Sequence, residues 1–295
     1  MALLFNTLIK KSKFGSHRTS SDRRQTDRST MDHTTSAMLH EKPPAYAAAP
    51  PPVANLPPQD DPYAFLSTFD TIFVIDDSYS MGTPIHDPNS RTRRTYWDEA
   101  RSAVEAITPI CTDYDSNGID MYFLNGARSP FHHNITSVAT VREIFSSTSP
   151  MGCTPTGQCL NSILTPYLQA YSRDKENTKP INIIVITDGV PTDDDAAPLI
   201  SAARKLDALE APLWQVGVQF FQVGNDPGAG EHLRQLDDDL RAISGDAKLR
   251  DLVDTVNFED FSKIPGGLSG QAILKVVLGA VNRRLDRKAI GKEGR

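Results

Sequence analysis

Three short stretches carry small oxygen-bearing side chains in a pattern suited to a hard cation. The first is Asp76-x-Ser78-x-Ser80, which breaks directly from the apolar run at 71–75. The second is Thr154 in Gly152-Cys153-Thr154-Pro155-Thr156-Gly157, with Thr156 as the second choice, and the third is Asp188 in Thr187-Asp188-Gly189. Carboxylate and hydroxyl oxygens without a soft donor favour Mg2+, with Mn2+ or Ca2+ as substitutes. Two readings compete. Asp and Ser also cap helices and form turns. Asp76 alternatively serves as the nucleophile of a Mg2+-dependent phosphotransferase, although such sites usually place a second acid where Ser78 stands.

For segments so far apart to meet, each must end on the same edge of a sheet. Residues 71–75 and 181–186 are apolar almost throughout and rich in β-branched side chains, which marks strands buried on both faces. Apolar residues at helical spacing follow: Trp97, Ala100, Val104 and Ile107 within 95–107, a second set within 158–171, and Leu199, Ala203 and Leu206 within 196–209. Further strands are predicted over 119–124, 213–223 and 252–258. Further helices are predicted over 138–145, through Leu233, Leu236, Leu240 and Ile243, and over 268–285. Asn125-Gly126 is a type I′ turn signal, so 130–135 is expected to return antiparallel to 119–124 as an edge strand, a place that suits Pro130. The fold class implied is α/β, a Rossmann-like doubly wound, mainly parallel sheet with one antiparallel edge strand and helices on both faces. Ligands of such sheets bind beyond the carboxyl ends of strands at a topological switch, and Asp76 and Asp188 both fall at that edge.

The order and spacing of Asp76-x-Ser78-x-Ser80, Thr154 and Asp188 resemble the von Willebrand factor A (vWA) domain and its metal-ion-dependent adhesion site (MIDAS). The hairpin after the first helix, the Thr187-Asp188-Gly189 strand ending and the long final helix extend the resemblance over about residues 66 to 286. The resemblance implies that Ser78 and Ser80 hold the metal directly, that Thr154 joins them when a ligand is bound, and that Asp76 and Asp188 act largely through water. It further implies an ion left under-neutralised by its hydroxyl ligands, to which a protein partner offers an Asp or Glu carboxylate. Where the family often has Gly before the second Ser, Tyr79 stands here and adds a bulky side chain to the partner surface. The function expected is therefore a non-enzymatic protein-protein interaction module. A metal-independent scaffold is the alternative, and the phosphotransferase comes last because no Walker-type, G-x-S-x-G or G-x-G-x-x-G motif accompanies Asp76.

Composition sets this body apart from an N-terminal arm. Only 39% of the 295 residues are hydrophobic, low for a chain packed from end to end. Residues 1–60 carry a net +3 and the remainder −9, and an acidic body argues against nucleic acid as the partner. Pro43-Pro44, Pro50-Pro51-Pro52 and Pro57-Pro58 prevent regular helix or sheet. The expected organisation is a disordered, Pro/Ser-rich basic arm over 1–60, a vWA-like domain over 61–286 and a frayed tail over 287–295. Pro43-Pro44-Ala45-Tyr46 resembles the PPxY ligand of WW domains, which adds Pro43, Pro44 and Tyr46 to Tyr79 as candidate partner contacts. Cys111, Cys153 and Cys159 form neither a disulfide framework nor a CxxC pair, favouring a reducing, cytoplasmic location. No apolar run approaches the roughly 20 residues of a membrane span, so no stable membrane insertion is expected. An organelle transit peptide in the Ser- and Arg-rich first 28 residues is the less favoured reading.

Overall fold

The computed structural model describes residues 63–85, 93–126, 129–257 and 276–281. The predicted arm with Pro43, Pro44 and Tyr46, the predicted tail, and most of the helix expected over 268–285 lie outside the described residues. Five strands form one parallel sheet: β1 (Asp70–Ile75), β2 (Asp120–Phe123), β3 (Ile181–Thr187), β4 (Val216–Gln222) and β5 (Val253–Asn257), in the order β2-β1-β3-β4-β5. Among the described residues, helices that connect and cover them are α1 (Tyr96–Tyr114), α2 (Val138–Ser147), α3 (Thr156–Arg173), α4 (Ala196–Ala208), α5 (Pro227–Asp238) and α6 (Leu240–Ser244). Among the described residues no helix is long and apolar enough to cross a membrane.

Every residue of β1, β3 and β4 is buried, polar ones included, as strands covered on both faces require. Phe73, Ile75, Ile184, Ile186 and Phe221 join a core with Trp97, Val104 and Ile107 of α1 and Val141 of α2. Their neighbours Ile72, Val74, Ile183, Val185, Val218 and Phe220 point the other way, against Leu160 and Tyr167 of α3, Leu199 of α4 and Leu233 of α5. Burying such a side chain stabilises the fold by about 1.5–3 kcal/mol. Two polar side chains inside the sheet have a structural task. Asn182 donates to the Val277 carbonyl, and Gln219 accepts from Ala280 N at 3.2 Å. They pin residues 276–281 across the α1 face of the sheet. A Cβ on Gly217 would lie 2.3 Å from Val281 Cγ1, so the bare glycine permits that close approach.

The antiparallel edge strand is corrected. Pro130–His132 is a single 3-10 turn capped by Ser129, whose hydroxyl accepts from Phe131 N. Antiparallel pairing in this stretch is confined to the isolated bridge between Ile119 and Ile135. Asn134 takes a left-handed φ of 55°, which breaks the run before it can lengthen. The periodic stretch through Ile243 also divides. Gly245 closes α6 with φ 69°, and Ile243 stays exposed. Conversely, α1 continues past Pro109 to Tyr114, where the Thr108 and Thr112 hydroxyls bond carbonyls of the same helix.

At the amino edge of the sheet lies a buried ionic cluster. Lys179 Nζ reaches Asp70 Oδ1 at 2.8 Å and Asp115 Oδ1 at 3.0 Å. One cation thus serves two acids, and burial raises the Asp115 carboxyl above its ordinary range.

Candidate metal centre

The strand order places the crevice. From β1 the chain reaches β2 on one side of the sheet, whereas β3 lies on the other, so connections diverge between β1 and β3 and leave an opening at their carboxyl ends. Asp76 follows β1 with its N–H on Ile186 O at 2.9 Å, and Asp188 follows β3. Asp76 Oδ1 accepts from Ser78 N at 2.8 Å, and its Oδ2 accepts from the Thr187 hydroxyl at 2.7 Å. Ser80 Oγ donates to Asp188 Oδ1 at 2.9 Å and lies 3.0 Å from Ser78 Oγ. Asp76, Ser78, Ser80 and Asp188, distant in sequence, thus form one cluster. Asp76, Ser78 and Asp188 are buried, and exposed Ser80 opens the cluster to solvent.

Electrostatically the cluster is unbalanced. Burial raises the Asp76 carboxyl, against hydrogen bonds from Thr187 and Ser78 that favour its ionised form. Asp188 is pushed up to about 6, first by burial and then by the neighbouring Asp76 charge, with a further push from Asp226. Among the described residues, no Lys, Arg or His makes an ion pair with either carboxylate, whereas the acids at the opposite edge share Lys179. Two adjacent buried acids without a cation are costly, because low dielectric strengthens their repulsion.

Thr154 is brought to this edge by its backbone. It is buried, and its carbonyl accepts from Thr156 N and from Thr192 N in the loop after Asp188, each at 2.9 Å. Thr156, the second choice, is the first residue of α3. The loop carrying Thr154 is also tied to the first loop, through Met151 N on Asp77 O at 2.6 Å and Tyr79 N on Gly152 O at 3.2 Å. Tyr79 is 80% exposed, and Phe131, Met151 and Val190 are further exposed apolar side chains on the loops that follow β2, precede α3 and follow β3.

Three residues that sequence reasoning did not assign to the site hold it together. Thr187 fixes Asp76. Asp193 accepts from Gly157 N at 3.0 Å and Gln158 N at 2.7 Å, so it caps α3, although its position in the Asp193-Asp194-Asp195 run suggested a role at the start of α4. Asn125 joins the first two loops and does not form the expected turn. The signals available were a Thr at a strand end, an acid run and an Asn-Gly pair, each with a local explanation.

Among the described residues no group of three His, Cys, Asp or Glu side chains forms a metal cluster. The donor set is instead two carboxylates with the Ser78 and Ser80 hydroxyls between them. All are hard oxygens, and the uncompensated acids supply the charge that a divalent cation would balance, so the residues present fit such an ion. His132 and His133 are not part of the cluster: His132 packs edge-on against Phe123, and His133 Nδ1 lies 3.2 Å from Asp120 Oδ2.

No family model matches the chain, and no curated protein matches it. Among solved structures, a manganese-loaded TRAP protein of Plasmodium vivax is similar over 66% of this chain and 70% of that chain, with 16% sequence identity and a TM-score of 0.34.

Proposed function

We propose that the chain is a non-enzymatic protein-interaction module of vWA type whose MIDAS-like edge takes a Mg2+, or Mn2+ or Ca2+ in its place. The observation that carries this reading is the pair of buried carboxylates, Asp76 and Asp188, joined through Ser78 and Ser80 at the β1/β3 switch point without a basic partner among the described residues. Ser78 and Ser80, with Thr154 on partner binding, would hold the ion, and Asp76 and Asp188 would balance it. When bound, the ion supplies an electrostatic anchor for an Asp or Glu of the partner. The exposed apolar side chains of Tyr79 and Met151 favour an acidic residue with apolar neighbours. Against a phosphotransferase, both oxygens of Asp76 already accept hydrogen bonds and the side chain is buried, which leaves it poorly placed for in-line attack. The Pro43-Pro44-Ala45-Tyr46 arm would recruit a WW-domain protein independently, and the free thiols suit a cytoplasmic setting.

The test is capture of cellular proteins by the immobilised full chain in Mg2+ and in EDTA, beside Asp76→Ala and Tyr46→Ala. A set of partners lost both in EDTA and with Asp76→Ala supports the metal bridge. Capture unchanged by EDTA and by Asp76→Ala refutes it and leaves the scaffold. Loss of a WW-domain protein with Tyr46→Ala alone assigns the arm.

A further inference from the structure

On the premise of that metal centre, we propose that Asn125 is a positioning residue: its side-chain amide sets the spacing between the Ser78/Ser80 loop and the Thr154 loop, and so tunes the choice between Mg2+ and Ca2+. Asn125 lies just past β2, on a segment that supplies none of the candidate ligands. Its Nδ2 donates to Asp77 Oδ1 at 3.1 Å and to the Cys153 carbonyl at 2.7 Å. An amide NH2 has two hydrogens, and here each loop receives one. Its backbone N–H donates to the same Asp77 oxygen at 2.8 Å. Asp77 is buried, and these bonds turn its carboxylate towards β2 instead of into the Asp76–Ser80–Asp188 cluster.

The acceptors lie immediately beside candidate ligands. Asp77 precedes Ser78, and Cys153 precedes Thr154. Two backbone bonds, from Met151 N to Asp77 O and from Tyr79 N to Gly152 O, hold the loops on one side. The Asn125 amide is the side-chain brace that spans both. Gly152 shows how tightly the brace fits. It adopts φ +80°, and a Cβ there would lie 2.5 Å from Asn125 Oδ1. The loop therefore needs glycine both for its backbone turn and for the amide pressed against it.

Spacing matters because the two ions differ in tolerance. Mg2+ demands near-ideal octahedral oxygens at about 2.0–2.1 Å, whereas Ca2+ accepts about 2.3–2.6 Å in a flexible shell. A brace that fixes one ligand loop against another should favour the stricter ion. Its loss should weaken Mg2+ binding by about 10–100-fold, the range seen when partners of metal ligands are removed, and Ca2+ binding by less.

The experiment titrates Mg2+ and Ca2+ separately into the full-length wild type, Asn125→Ala, Gly152→Ala and Asp77→Asn by calorimetry, and reads the Mg2+/Ca2+ affinity ratio. A merely structural role would lower the fraction able to bind without moving that ratio. The expected result is a lower ratio in Asn125→Ala, by at most the about 10–100-fold lost for Mg2+. Gly152→Ala reaches the same contact from the other side, should reproduce the change, and decides the matter if Asn125→Ala does not fold. Asp77→Asn keeps an acceptor oxygen for Asn125 and should retain the wild-type ratio. A wild-type chain that binds both ions, with an unchanged ratio in Asn125→Ala or Gly152→Ala, overturns the positioning role alone. A wild-type chain that binds neither ion overturns the metal centre and this role with it, an outcome visible before any variant is made.

Discussion

Replacing Asp188 by Asn should stabilise the metal-free protein at neutral pH and destabilise it relative to wild type once Mg2+ is added. In the free chain the Asp188 carboxyl is pushed from 3.8 to about 6, mainly by burial and then by Asp76. At about 1.36 kcal/mol per pKa unit, that displacement sets an upper bound near 3 kcal/mol on the cost of ionising it. Solvent reaching the cluster at exposed Ser80 screens part of this, so about 1–2 kcal/mol is expected. Asn keeps an oxygen to accept from Ser80 Oγ but carries no charge. The sign is fixed by linkage: an acid with a raised folded pKa destabilises the fold above that pKa and is relieved as pH falls through it towards 3.8. In EDTA at pH 7.5, Asp188→Asn should therefore melt about 2–8 °C above wild type, and the gap should fall to about half by pH 5 and close only below about 3.8. Saturating Mg2+ at about 100 times its Kd adds about 2.7 kcal/mol to wild type and much less to the variant, which reverses their order. Thermal melts at the two pH values, with and without Mg2+, provide the measurement. A variant less stable than wild type in EDTA at pH 7.5 would refute the electrostatic account, and equal stabilisation of both by Mg2+ would refute the role of Asp188 in the centre.

Three other perturbations test the scaffold. Lys179→Met removes the single cation shared by Asp70 and Asp115 and should cost about 3–5 kcal/mol by urea unfolding at pH 7.5, with part of the loss recovered on acidification as Asp115 protonates. A loss under 1 kcal/mol would show that water reaches those acids. Gly217→Ala places a Cβ against Val281 and Ala280 and should cost about 1–3 kcal/mol in the same assay, whereas an unchanged midpoint would mean that residues 276–281 leave the sheet at little cost. His232 Nε2 lies 3.1 Å from Asp195 Oδ2, and its pKa is raised by that bond. Its stabilising effect should be present in full below about 6.5 and lost as pH rises through the raised value. The stability difference between wild type and His232→Gln should thus shrink between pH 6 and pH 8.5, and a difference independent of pH would exclude the charged pair.

The strands and the cluster residues were legible because their signals are local and redundant. A strand buried on both faces must be apolar throughout, and the polar break after Ile75 or Thr187 marks its end whatever lies elsewhere. The parallel order then brings Asp76 and Asp188 to one edge. What escaped sequence reasoning depends on partners far along the chain. Asn125-Gly126 reads as a hairpin turn until Asp77, 48 positions earlier, accepts from the backbone N–H and from the side-chain amide of Asn125. Asp193 looks like a charge for the helix that follows it, yet its carboxylate caps α3, whose first turn lies 35 positions back at Gln158. In each case a side chain satisfies distant backbone groups and overrides the nearer reading.

The same geometry bears on whether an ion here would be structural or exchangeable. Neither apolar core draws on the cluster residues: one packs against α1 and α2 and the other against α3, α4 and α5. The cluster also satisfies its own hydroxyls, with Ser78 and Ser80 in mutual contact and Ser80 donating to Asp188. An incoming ion would have to displace those bonds, each worth about 0.5–1.5 kcal/mol net, or up to about 3 where a charged group accepts. Relief of the Asp76–Asp188 repulsion offsets that loss. The balance differs from that of a structural zinc site, where ligands are uncommitted until metal arrives and the apo chain is unfolded. In this chain the hydroxyls already satisfy one another and Asp188, so their hydrogen bonds would oppose an ion that the uncompensated charge would attract. Under the proposed function, such a centre would suit reversible recognition, because a partner carboxylate added to the ion's shell would tip that balance and couple capture of the ion to capture of the partner.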